Sequence, residues 1–140
     1  MLFALATILL ASASSDKLAQ ESAKPGISGL ALCRGRYEAL ADYVAAHGES
    51  APDLAAFDAR LAREIGTRID AADNDDRQRL DRLAAANRDY GRARMATVIA
   101  RASAGYEYRE ALRGFAAYHD ALTDCERLFR AEGIDEVPPG

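Results

Sequence analysis

ISGLALCRGRYEALADYVAAH, residues 27–47, is the stretch whose periodicity decides the fold. Ile27, Leu30, Cys33, Tyr37, Leu40, Ala41 and Val44 recur every three or four residues, a spacing that collects them on one side of an α-helix. Gly48 follows at once and supplies a left-handed stop. The stretch therefore predicts an amphipathic helix over 27–47 with a cysteine on its apolar side. A counterpart lies near the other end of the chain. Over 106–131, Tyr108, Leu112, Phe115, Tyr118, Leu122, Cys125 and Phe129 form a second cysteine-bearing stripe, and Gly133 ends it.

Two more helical patterns lie between them. Over 51–72 the stripe is Leu54, Phe57, Leu61, Ile65, Ile69 and Ala72, with Ser50 as the expected N-cap and Asp53 in the first turn. The run Asp73-Asn74-Asp75-Asp76 then gathers cap-forming residues, and Asp75 with Gln78 reads as a capping box. Over 76–103 the apolar side carries Leu80, Leu83, Ala84, Tyr90, Val98 and Ala102. Gly91 marks a break in this helix or a close contact with a neighbour, and the last two helices are expected to divide near Gly105. Neither a strand pattern nor a repeat occurs.

Cys33 sits about two turns inside the first helix and Cys125 about two turns before the end of the fourth. An up-down-up-down four-helix bundle brings those two ends to the same pole. The expected fold is therefore all-α, with one Cys33–Cys125 disulfide joining helix 1 to helix 4. A disulfide of this kind belongs to an oxidising compartment. Residues 2–11 are apolar but too few to cross a bilayer, and Ala11-Ser12-Ala13 is the small-residue pattern of a signal-peptidase site. Residues 1–13 read as a signal peptide, although no Lys or Arg precedes the apolar run; the alternative is a buried N-terminal helix of a cytosolic protein. Residues 14–26 read as a flexible leader, 27–133 as the bundle and 134–140 as a C-terminal tail. The expected location is periplasmic or secreted, with no transmembrane helix after cleavage.

The charge of -4 comes from interspersed acids and bases. It forms no basic stripe of the kind that tracks nucleic acid, so no nucleic-acid partner is expected. The sequence implies no metal and no cofactor. Counted from Asp73, an EF-hand loop would place Arg77, Gln78 and Ala84 where an oxygen ligand, Gly and Glu are required. No CxxCH attaches haem, and the axial-ligand candidates His47, His119 and Met95 read as boundary and core residues. No Glu-x-x-His pair, G-x-S-x-G elbow or glycine-rich phosphate loop is present, so no catalytic residue is nominated.

Polar residues beside the apolar stripes are the remaining signal. On a helical wheel Arg94 and Asn87 fall between Leu83, Tyr90 and Val98. Arg94, Asn87 and Tyr90 are thereby a candidate interhelical pocket for an acidic ligand, since guanidinium binds carboxylate or phosphate in a bidentate fashion. The need of a buried charge for a partner predicts two pairs, Arg34 with Glu126 and Asp58 with Arg94. Seven arginines lie between Arg77 and Arg101, scattered around the helix as a solvated surface or as a face for an acidic protein or anionic envelope polymer. The leading functional expectation is a non-enzymatic envelope protein that binds another protein or a small acidic ligand. The others are a ligand- or haem-carrying bundle and an enzyme of unrecognised type.

Overall fold

The computed structural model describes residues 26–103 and 108–139. Within them four helices follow one another: α1 (Ile27–Ala46), α2 (Pro52–Asp70), α3 (Asn74–Ser103) and α4 (Tyr108–Ala131). The signal-peptide and leader expectations, and the division at Gly105, lie outside the described residues.

Gly48 and Gly133 adopt positive φ, 73° and 72°, and each closes a Schellman turn. After α1, the Glu49 N–H donates to the Val44 carbonyl and the Gly48 N–H to that of Ala45. After α4, the Ile134 and Gly133 N–H groups donate to Phe129 and Arg130 in the same way, and Ile134 and Phe129 are both buried, the apolar contact that accompanies this turn. The start of α2 differs from expectation. Ala51, not Ser50, is the N-cap; no side-chain oxygen caps the helix, and Pro52 opens it. Proline at N1 needs no hydrogen bond there and presets the helical φ.

α1 and α4 run antiparallel. Gly29 faces Leu128, and Cys33 is bonded to Cys125 with Cα atoms 5.6 Å apart. One turn on, Arg36 Nη1 donates to the Ala121 carbonyl at 2.8 Å. α1 and α2 are also antiparallel, with Arg34 paired to Asp58 and Gly26 beside Arg68. α1 and α3 run parallel and make the most extensive helix contact, whereas α2 barely meets α4. The bundle is therefore built around α1, which touches all three other helices. This explains why Ala31, Gly35 and Ala39 are buried along with the expected stripe.

Gly91 resolves as a close contact. A Cβ there would lie 2.1 Å from the Leu32 carbonyl oxygen, and one on Gly35 would lie 2.0 Å from that of Arg88. The two backbones touch through reciprocal glycines. This turns α3 so that Leu80, Ala84, Gly91, Met95 and Ile99 face inward, while Tyr90 is exposed.

At the centre, the rings of Tyr37, Phe57 and Phe129 form a triangle with centroids 5.2–5.8 Å apart. The tail is part of the core: Ile134 is buried, Val137 packs against the cluster, and Arg60 donates to the Asp135 carbonyl. Tyr37 is 1 % exposed, and its hydroxyl is buried without a hydrogen-bond partner. Burial, with smaller contributions from Glu126 and Tyr118, pushes that hydroxyl up to about 12. A phenol whose folded pKa exceeds its unfolded value of 10 contributes stability below pH 10, and that contribution is lost as pH rises from 10 to 12. The loss is about 2–3 kcal/mol at 1.36 kcal/mol per unit. Tyr37→Phe is expected to remove this alkaline loss and to leave stability at pH 7 unchanged or about 1 kcal/mol higher, since it deletes an unsatisfied buried group. Urea melts of both proteins at pH 7 and pH 11 check it; equal losses at pH 11 would place the titration elsewhere.

Candidate functional site

Arg34 and Asp58, each expected to pair with another residue, pair with each other. Arg34 Nε donates to Asp58 Oδ1 at 2.8 Å, and Arg34 also meets Glu38 at 3.5 Å on its own helix. Arg88 Nε joins from α3, 2.8 Å from Glu38 Oε1, and Arg92 binds Asp42 at 2.6 Å one turn above. These charges stitch α1 to α2 and α3. The expected Arg34–Glu126 and Asp58–Arg94 pairs are thus corrected. Arg34 lies one residue past Cys33, about 100° around α1, and faces α2. Arg36 is the residue that faces α4, bonded to Ala121 and, at 3.4 Å, to Cys125 Sγ. Burial lowers its pKa, which Asp124 and Tyr90 partly offset.

The turn of α3 also decides the fate of Arg94, Asn87 and Tyr90. Arg94 and Tyr90 stand exposed, and Asn87 is half-buried with its amide donated to the Leu83 carbonyl of its own helix at 2.9 Å. Two of the three stand open to solvent, because the glycine contact points inward a side of α3 about a quarter turn away from them. Met95 is buried in the core, whereas His119 is exposed on α4, so these two axial-ligand candidates occupy different environments. Among the described residues no group of three His, Cys, Asp or Glu gathers as a metal site, and no helix is long and apolar enough to cross a membrane.

The structure opens a different site. Asp58 is six residues into α2 from Pro52, and it pairs with Arg34, which is six residues before Leu40 on the antiparallel α1. α2 therefore begins level with Leu40. Residues 41–46 of α1, about 9 Å of helix, rise above it, and among the described residues this pole of the bundle has three walls instead of four. The gap is a cleft of about 430 Å³ lined by Leu40 and Tyr43 of α1, Ile99, Ala102 and Ser103 of α3, and Phe115, Tyr118 and His119 of α4.

The lining is aromatic and held together. Phe115 and His119 meet edge to face at 5.1 Å, and the Tyr43 ring packs at a tilt against His47, with centroids 4.2 Å apart. Ser103 donates to the Ile99 carbonyl at 2.8 Å and lies 3.4 Å from the Tyr43 hydroxyl. Burial raises the pKa of Tyr118. No family model matches this chain, and no curated protein or solved structure is similar to it. The cleft's chemistry is what there is to read: an apolar floor, rings at the rim, and hydroxyl and imidazole groups at the mouth. Such a lining can bind an apolar or aromatic group, with Ser103 held by the Ile99 carbonyl and the Tyr43 hydroxyl.

Sequence reasoning took Tyr108, Leu112 and Phe115 for core. The structure leaves them 79 %, 50 % and 56 % exposed, while Gly114, Leu122, Cys125 and Phe129 are buried on α4. The signal was present. At 100° per residue, Tyr108, Leu112 and Phe115 centre about 80° away from Tyr118, Leu122, Cys125 and Phe129. One helix cannot aim both groups at the same core. Gly114 decides which group turns inward: a Cβ there would lie 2.6 Å from the Ala102 nitrogen, so this side of α4 presses on α3.

Proposed function

We propose that the chain is an exported, non-enzymatic binding module that seats an amphipathic helix of a partner protein at its three-walled pole. The observation that carries this is the length of the apolar surface. Tyr108 and Leu112 do not line the cleft, yet with Phe115 they continue its edge along α4 at spacings of four and three residues. The i, i+4, i+7 pattern is the one that helix-in-groove recognition uses on both partners. A small molecule would fill the cleft and leave Tyr108 and Leu112 in water; a helix lying where a fourth wall would stand covers both. Of the described large apolar side chains that are exposed, Tyr108, Leu112, Phe115 and Tyr43 all belong to this pole and Tyr90 alone does not. Such concentration marks an interaction surface. The export reading is supported by the Cys33–Cys125 disulfide, since such bonds persist in oxidising compartments.

A photo-crosslinking residue placed at Leu112 or Tyr43, in the cells that make the protein, tests the reading. Both positions are expected to give a discrete adduct, and Asp81, exposed on the first half of α3, is not. Leu112→Asp should abolish the adduct formed from Tyr43 without changing the helical circular dichroism spectrum. Adducts no stronger at 112 and 43 than at 81 would sink it.

A further inference from the structure

We infer that the helix seated against α4 is α4 of a second copy of this chain, lying antiparallel to it. The inference rests on the docking reading of the same stripe and adds the occupant. The argument is the charge along one flank. On the helical wheel Arg109 and Asp120 fall within about 20° of each other, beside the Tyr108–Leu112–Phe115 stripe. They are separated by eleven residues, three turns of helix. Both are exposed. Among the described residues neither takes part in an ion pair, although eight ion pairs are seen elsewhere.

In an antiparallel helix pair, the same flank of each helix meets across the seam. A two-fold axis passing between Gly114 and Phe115 sets Arg109 of each copy beside Asp120 of the other. The two charges left over in one copy become two intermolecular pairs. The same axis puts the two Phe115 rings next to each other at the centre of the seam, with Leu112 of each copy beside them. A parallel arrangement would leave the Arg109–Asp120 flanks of the two copies on opposite sides of the seam, with both charges unpaired. The contact is isologous and closes on itself, so it makes a dimer and not a chain of copies. One helix pair lies at the small end of interface sizes, which suits association at roughly micromolar concentration.

Sedimentation velocity of the oxidised protein over a concentration series tests this, with Arg109→Asp and Asp120→Arg as variants. Both positions are exposed, so the circular dichroism spectrum should not change. A concentration-dependent dimer is expected for the natural sequence. Each single reversal turns both pairs repulsive and should weaken association about ten-fold. Mixing the two variants in equal amounts restores attraction at both positions, so the mixture should form a heterodimer at least as readily as the natural chain. A monomer at every concentration overturns the inference, and so does a dimer indifferent to the reversals and to mixing. Neither result touches the docking reading, which stands or falls on whether residues 43 and 112 crosslink at all.

Discussion

Gly35→Ala is expected to lower the stability of the bundle by about 3 kcal/mol, near the top of the usual cost of overpacking a core. The added methyl would fall 2.0 Å from the Arg88 carbonyl oxygen and 2.7 Å from the Arg92 nitrogen. Both are backbone atoms of a helix, so neither can swing aside as the end of a side chain could. α1 and α3 would have to move apart, and theirs is the most extensive contact in the fold. The separation would also pull on Arg88–Glu38 and Arg92–Asp42, which cross the same seam. Opposing this is only the better helix propensity of alanine, about 1 kcal/mol. Gly66→Ala is the control, because nothing lies within 4 Å of a Cβ there. With open space around the added methyl the propensity acts alone, and the change should stabilise by up to about 1 kcal/mol. In urea the two variants should move the midpoint in opposite directions with the slope unchanged. Gly91→Ala should resemble Gly35→Ala. The double variant should cost less than the sum, since one separation of the helices relieves both clashes. Equal midpoints for Gly35→Ala and Gly66→Ala would mean that the backbones are not in contact.

That contact also explains which parts of the fold were legible in the sequence. α2 was read through correctly: Leu54, Phe57, Leu61, Ile65 and Ile69 are all buried, because α2 has one inner side and periodicity reports one side well. α1 carried a clear stripe too, but its further burial at Ala31, Gly35 and Ala39 follows from its central place, and small residues give little hydrophobic signal. On α3 the larger apolar residues Leu83, Tyr90 and Val98 outweighed Gly91 in the count. Yet the glycine sets the helix's rotation, because backbone contact needs the absence of a side chain. The same rotation leaves Arg94 exposed and Asn87 half-buried. On α4 two groups of apolar residues read as one stripe, and of the exposed group only Phe115 lines the cleft, whose edge Tyr108 and Leu112 continue. The cleft itself depends on where α2 starts relative to α1, a vertical offset fixed by Arg34–Asp58 and the packing of Phe57 on Tyr37. No periodicity within either helix encodes that offset.

Removing the disulfide should be the largest single loss. Cys33 and Cys125 are 92 residues apart, so the bond closes almost the whole described bundle into one loop. Chain entropy assigns a loop of that length about 4.6 kcal/mol, all of it acting on the unfolded state. For a domain of this size the replacement Cys33→Ala with Cys125→Ala should lower the melting temperature by about 15 °C or more. The native side adds to this. Both sulfurs are buried, and Arg36 donates to Cys125 Sγ, so the alanine variant also loses packing and one contact of a half-buried guanidinium. Reduction of the natural protein separates the two contributions: it removes the loop constraint and keeps sulfur atoms at both positions. The reduced protein should therefore melt between the oxidised protein and the alanine variant. The site should feel the loss unevenly. The bond joins α1 to α4 at the pole opposite the cleft, while Leu40, Tyr43, Phe115 and Tyr118 meet through the same two helices at the other end. In the reduced state at low temperature the core remains packed, and crosslinking from residue 112 should persist. As the temperature approaches the lowered midpoint, α4 detaches as a whole and crosslinking should vanish together with the helical signal. If crosslinking disappears on reduction while the helical signal holds, the bond positions the cleft directly and its role is more than that of a staple on the unfolded chain.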